Sequence, residues 1–167
     1  RDFQVNTQIC FDAQDNFEKG FPAFHLFQKC KDLADNNVLL ARKTIIDFYE
    51  YGIVVPKNPE LAFQMASELI TELKEARKNK NWNKFLVEVD NSNLTDSDHD
   101  ANFLDYIQLL QSHIANSIFW GRNSENPEIA YNFLDTILLN NENYPRPFQN
   151  VNKDLWYQLD WYMYNLM

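Results

Sequence analysis

Residues 58–63 read NPELAF and residues 126–131 read NPEIAY, so one short phrase is written twice in a chain of 167 residues. Each copy spells a helix start. Asn58 and Asn126 are good N-caps, and Pro59 and Pro127 fall at the first helical position, where a missing N–H costs nothing. Glu60 and Glu128 then meet the positive end of the helix dipole. Apolar residues follow at spacings of three and four: Leu61, Ala62, Met65, Leu69 and Leu73 in one copy, Ile129, Ala130, Phe133, Leu134 and Ile137 in the other. That period predicts one buried face per helix.

All three glycines, Gly20, Gly52 and Gly121, lie between an apolar-periodic stretch and a proline-marked helix start, where a left-handed residue ends a helix. The stretch LLARKTIIDFYEYG (39–52) carries Leu40, Ala41, Ile45, Phe48 and Tyr49 at helical spacing, and IQLLQSHIANSIFWG (107–121) carries Ile107, Leu110, Ile114 and Ile118 likewise. The repeated unit is therefore a helix, a glycine turn and a proline-started helix. A weaker first copy runs through TQICFDAQDNFEKG (7–20), with Pro22, Ala23 and Phe24 in the places of the later Pro, Ala and aromatic residue.

The expected architecture is all-α: one domain, an α/α solenoid of about three helix-turn-helix repeats at 6–36, 38–77 and 102–140. Residues 78–101 read as an insertion, a short irregular or helical piece around Trp82, Phe85 and Leu86 followed by a polar loop. Pro145 and Pro147 forbid a continuous helix, and the aromatic-rich segment 153–167 is expected to form a capping helix.

With 13 Phe, 8 Tyr and 4 Trp the chain has ample material for a core, which excludes the disordered and low-complexity classes. A formal charge of −9 disfavours nucleic acid and anionic membranes, both of which need a positive surface. No apolar run approaches the roughly 20 residues of a membrane-spanning helix, so membrane insertion is not expected. The two cysteines, Cys10 and Cys30, flank the turn near Gly20 and Pro22. Two readings stand, a disulfide between the arms of a hairpin or two buried thiols, and the equal distance of the cysteines from the turn favours the bridge.

Motifs that would carry chemistry are weak. DSDHD (96–100) spaces Asp96, Asp98 and Asp100 as a calcium loop does, but Ala101 stands where that loop needs glycine and Ile107 where it needs a bidentate glutamate. The aspartates read instead as helix-start residues, Asp98 or Asp100 capping a helix from near 101. His25, His99 and His113 are too scattered for a local metal motif, and no glycine-rich phosphate loop or nucleophile elbow is present. No metal, cofactor or catalytic residue is assigned, and an enzyme, such as a hydrolase, is the least favoured class.

The pattern resembles the Sel-one-like repeat, a relative of the tetratricopeptide repeat. Ala41, Ile45, Tyr49 and Gly52 occupy that family's first-helix pattern, with Ile46 where the family has glycine, and Asn58 and Ala62 occupy the second. In the third unit Ile114, Ala115, Gly121, Asn126 and Ala130 fit, while Leu69 and Ile70, or Ile137 and Leu138, replace the usual Ala-Ala pair. The resemblance implies paired antiparallel helices, a protein-binding role and a bacterial envelope or exported location.

The functional expectation is a non-catalytic protein-binding module. One form of it is a periplasmic immunity protein that neutralises a basic toxin or effector, since acidic inhibitors gain on-rate by steering. The alternative is a scaffold or assembly segment of a larger envelope-associated repeat protein. The helical reading leaves Asp47, Glu50, Asp105, Gln108 and Ser112 exposed as partner-binding residues, with Tyr51 and Trp120 beside the glycine turns as aromatic anchors.

Overall fold

The Asn58 carboxamide accepts a hydrogen bond from the Leu61 amide at 3.1 Å, and the helix it caps opens with Pro59 and carries Glu60 in its first turn. The phrase that opens the repeat is thus a working helix start. This computed structural model describes residues 6–86 and 94–119. Five α-helices occur there: α1 (Gln8–Glu18), α2 (Phe24–Asp35), α3 (Leu39–Tyr51), α4 (Pro59–Lys78) and α5 (Asp96–Phe119). Among the described residues there is no β-strand, only an isolated bridge between Val38 and Leu86.

Two of the three glycines fall within the described residues, and both are left-handed, Gly20 at φ 78° after α1 and Gly52 at φ 68° as the C-cap of α3. At Gly52 glycine is required twice over. A Cβ there would also press on Lys57 at 3.0 to 3.3 Å, much of it backbone. Pro22 lies ahead of α2, which begins at Phe24.

Helices adjacent in sequence pack on one another, α1 on α2, α2 on α3, α3 on α4 and α4 on α5. Helix α3 has buried residues on two opposite sides. Ala41, Ile45 and Phe48 join Cys10, Ala13, Phe27 and Cys30 in one core, whereas Leu39 and Ile46 join Ala62, Leu69, Leu73, Phe103 and Ile114 in the other. Ile46 therefore fills the α3/α4 contact with a branched side chain, and Leu69 and Ile70 are buried in the same core. Each such residue removed from water contributes about 2 kcal/mol before chain entropy is counted.

Cys10 and Cys30 are bonded, with Cα atoms 5.0 Å apart, and both are fully buried. The bridge ties α1 to α2 across the turn, so of the two readings of the cysteines the disulfide is the correct one.

The segment 78–86 is a 3₁₀ turn (Trp82–Lys84) followed by Phe85, which is 1% exposed, and Leu86, whose backbone exchanges hydrogen bonds with Asn37 and Leu39. Trp82 stacks flat on His99 with ring centres 5.7 Å apart and meets Phe103 edge-on.

Helix α5 departs from expectation at its start. It begins at Asp96, not near residue 101, because Thr95 and Asp98 form a reciprocal capping box, Asp98 N–H to Thr95 Oγ1 at 3.2 Å and Thr95 N–H to Asp98 Oδ2 at 3.0 Å. Asp98 thus serves the helix start from inside the helix. Asp100 caps nothing: it takes a two-pronged ion pair from Arg77 on α4, at 2.8 and 3.2 Å. Asp96 accepts from the Trp82 indole at 3.1 Å. The expected third glycine turn, the second half of the third unit and the closing helix at 153–167 lie outside the described residues.

Candidate functional site

Four charged residues form an alternating chain between α3 and α5. Lys43 Nζ lies 2.6 Å from Asp47, His113 Nδ1 lies 3.4 Å from Asp47 Oδ1, and His113 Nε2 lies 3.6 Å from Glu50 Oε2. Lys43, Asp47 and Glu50 share one stripe of α3 because they are spaced by four and three residues. Glu50 has no exposure, and the side chains of His113 and Asp47 are 9% and 23% exposed. The histidine contacts are longer than good hydrogen bonds, so charge does most of the pairing.

Burial pushes the His113 imidazole down, but the carboxylates of Asp47 and Glu50 outweigh it and raise the imidazole above its ordinary value. Burial pushes the Asp47 carboxyl up, yet His113 and then Lys43 outweigh that and hold it below the usual range. Two positive and two negative groups then lie in line, and each buried charge faces its opposite.

This arrangement corrects the expected exposure of these residues. Asp47 and Glu50 are turned into the α3/α5 contact, and Gln108 and Ser112 are each 7% exposed, so none of the four is an open surface residue. The physical reason is that helical period locates a helix's apolar stripe but not the polar stripe on which a third helix will sit. Asp105 is exposed, and partial burial raises its carboxyl above the ordinary value. Tyr51 is 51% exposed and meets the His113 ring edge-on at 6.4 Å. Trp120 lies outside the described residues.

A different surface carries exposed apolar groups. On the disulfide-tied hairpin of α1 and α2, Phe11, Phe17, Phe21 and Phe24 are 47%, 44%, 60% and 58% exposed. Phe17, Phe21 and Phe24 lie within eight residues of chain at the closed end of the hairpin. That turn is itself fixed, by the Phe21 N–H to the Asn16 carbonyl at 2.8 Å and the Asn16 side-chain amide to the Pro22 carbonyl at 3.3 Å. Between the rings, Asp12 and Glu18 accept from the neutral amides of Gln8 and Gln14 and have no ion pair among the described residues, while Asp15 pairs with Lys19. Large apolar groups held in water on a rigid frame are the usual mark of a contact surface.

Sequence reasoning missed this patch. Phe17 continues the Cys10 and Ala13 stripe of α1 and so reads as core, but it falls at the helix end, where the hairpin no longer covers it. Among the described residues no group of three or more histidine, cysteine or carboxylate side chains is placed to hold a metal ion, and no helix is long and apolar enough to cross a membrane. The bridged cysteines are compatible with an extracytoplasmic location. No family model, no curated protein and no solved structure matches the chain.

Proposed function

We propose that this is a non-catalytic protein-binding module that holds a basic partner through the phenylalanine-bearing end of the α1/α2 hairpin. The observation that carries the reading is the set of four exposed Phe rings, beside carboxylates with no ion pair among the described residues, on a disulfide-braced frame. Aromatic anchors supply contact area at low entropy cost, and the acidic surround steers a cationic partner. The net charge of −9 acts in the same direction at long range. The titratable groups of the α3/α5 contact are spent on one another, which supports a structural role for them in place of a catalytic one.

In its specific form the reading is a periplasmic immunity protein against a basic toxin or effector, built as a Sel-one-like α/α solenoid with further helices completing the third repeat. The scaffold alternative, a segment of a larger envelope-associated protein, makes the same hairpin an assembly contact. The test is co-purification from the envelope fraction of the source cell, comparing the native chain with Phe21→Ser/Phe24→Ser. A near-stoichiometric partner that is lost on raising salt and lost with the double variant supports the reading. Retention of that partner by the variant removes the hairpin from it, and release of an active toxin on partner elution decides for immunity over scaffolding.

A further inference from the structure

The exposed Phe24 ring is the first of a chain of aromatic contacts that runs inward. Phe24 stacks on Phe27 with ring centres 6.1 Å apart, and Phe27 meets Tyr49 of α3 edge-on at 6.2 Å. Tyr49 in turn lines a groove of about 470 Å³ between α2, α3 and α4, together with Ile45, Ile46 and Met65. The rim of that groove carries Glu68 and Glu72 from α4, and Lys31 and Asp35 from α2. Positions 24, 28, 31 and 35 fall on one face of α2, so Phe24 and the groove rim share a stripe about 16 Å long.

The charges along this track are unequally satisfied. Arg42 is engaged by Glu72 and by Asn37, and its guanidinium also lies over the Phe85 ring. Lys31 and Asp35 form an exposed i,i+4 pair at 3.3 Å, which is weak and easily opened. Glu68 is exposed and has no ion pair among the described residues. The groove thus offers an apolar floor, one uncommitted carboxylate and a second that a partner's cation can take over.

We propose that the Phe24 ring and the α2/α3/α4 groove form one continuous docking track for an amphipathic helix of a partner protein, whose apolar face enters the groove and whose Lys or Arg residues meet Glu68 and Asp35. A helix of about three turns matches a 16 Å track. A strand is disfavoured as the occupant because no sheet edge among the described residues is open to pair with it. The inference rests on the protein-binding reading and adds to it the partner's secondary structure, its charge and the place where it ends.

The test uses a fluorescein-labelled 14-residue peptide with Leu at every third or fourth position flanked by Lys, and its twin with Glu for Lys, read by fluorescence anisotropy against the full chain. The Lys peptide should bind and the Glu twin should not. Phe24→Ser and Glu68→Lys, both at exposed positions, should each weaken binding about fivefold or more with unchanged helical circular dichroism. Glu75→Lys, an equal change of charge on α4 outside the groove, should have less than about a twofold effect. If Glu75→Lys weakens binding as much as Glu68→Lys, the attraction is unspecific and the track is wrong. An effect of Phe24→Ser without one of Glu68→Lys removes the groove and leaves the hairpin reading standing. If neither variant matters, the track falls, and the hairpin reading is left to the envelope experiment. Absence of binding by the Lys peptide overturns the track alone, since the envelope experiment tests the hairpin by itself.

Discussion

His113 on α5 places its Nε2 3.6 Å from the carboxylate of Glu50 on α3, a side chain with no exposure to solvent. Taking a carboxylate fully out of water is unfavourable unless an opposite charge accompanies it, so the two helices hold each other's buried charge. The pair makes α5 a partner of α3 as well as of α4.

Removing one side of this contact is expected to cost stability. Glu50→Ala leaves the raised imidazole facing fewer negative groups and opens a void, and should lower the unfolding free energy by about 3 kcal/mol or more. Urea unfolding monitored by circular dichroism measures it. A loss below about 0.5 kcal/mol would mean that the pair is neutral in balance.

The pH dependence follows from the two shifts. The His113 imidazole is raised from 6.5, so its stabilisation is complete below 6.5 and is lost as pH rises through the higher folded value. The Asp47 carboxyl is lowered from 3.8, so its stabilisation is complete above 3.8 and is lost as pH falls through the lower folded value. Both contributions are complete together between those two ordinary values. His113→Gln should therefore cost most near pH 5.5 and progressively less at alkaline pH, as read from the difference between native and variant denaturation curves.

Double charge reversal at Asp47 and Glu50 should depress the melting temperature by many degrees, because both side chains belong to a helix contact. Thermal unfolding by calorimetry reads it. A variant that melts like the native chain would place these residues back on an open surface.

Cys10→Ser/Cys30→Ser, or reduction, should destabilise by about 3 kcal/mol, since the bridge spans 20 residues of sequence and constrains the unfolded chain accordingly. Amide hydrogen exchange should then rise first in α1, which packs chiefly on α2. Equal loss of protection throughout α1 to α5 would show that the hairpin is not a separable unit.

Gly52→Ala should cost about 1–2 kcal/mol by chemical denaturation, because a side chain at φ 68° is strained and the new methyl group meets Lys57 backbone. Gly20→Ala, at φ 78° with nothing within 4 Å, should cost less. Equal penalties would assign the effect to the backbone alone.

What the sequence determined by itself is local. Asn58, Pro59 and Gly52 set a helix start and a helix end because caps and left-handed turns depend only on neighbouring backbone groups, and the period marked the buried face of α4 at Ala62, Leu69 and Leu73, with Leu61 and Met65 half-buried at its edge. The symmetry of Cys10 and Cys30 about the turn favoured their pairing without deciding it against two buried thiols, and the packing of α1 on α2 decided it. The early start of α5 was written in the sequence too, as Thr95 three residues before Asp98, but an aspartate-rich run masks such a box.

Tertiary structure decided the rest. Lys43, Asp47 and Glu50 look like a solvated stripe of α3 until α5 brings His113 across it, and Phe17 and Phe24 look like core until the hairpin ends short of covering them. A sequence period fixes which residues share a face of one helix. Whether that face meets water, a charge or a third helix depends on groups tens of residues away, whose approach no local spacing encodes.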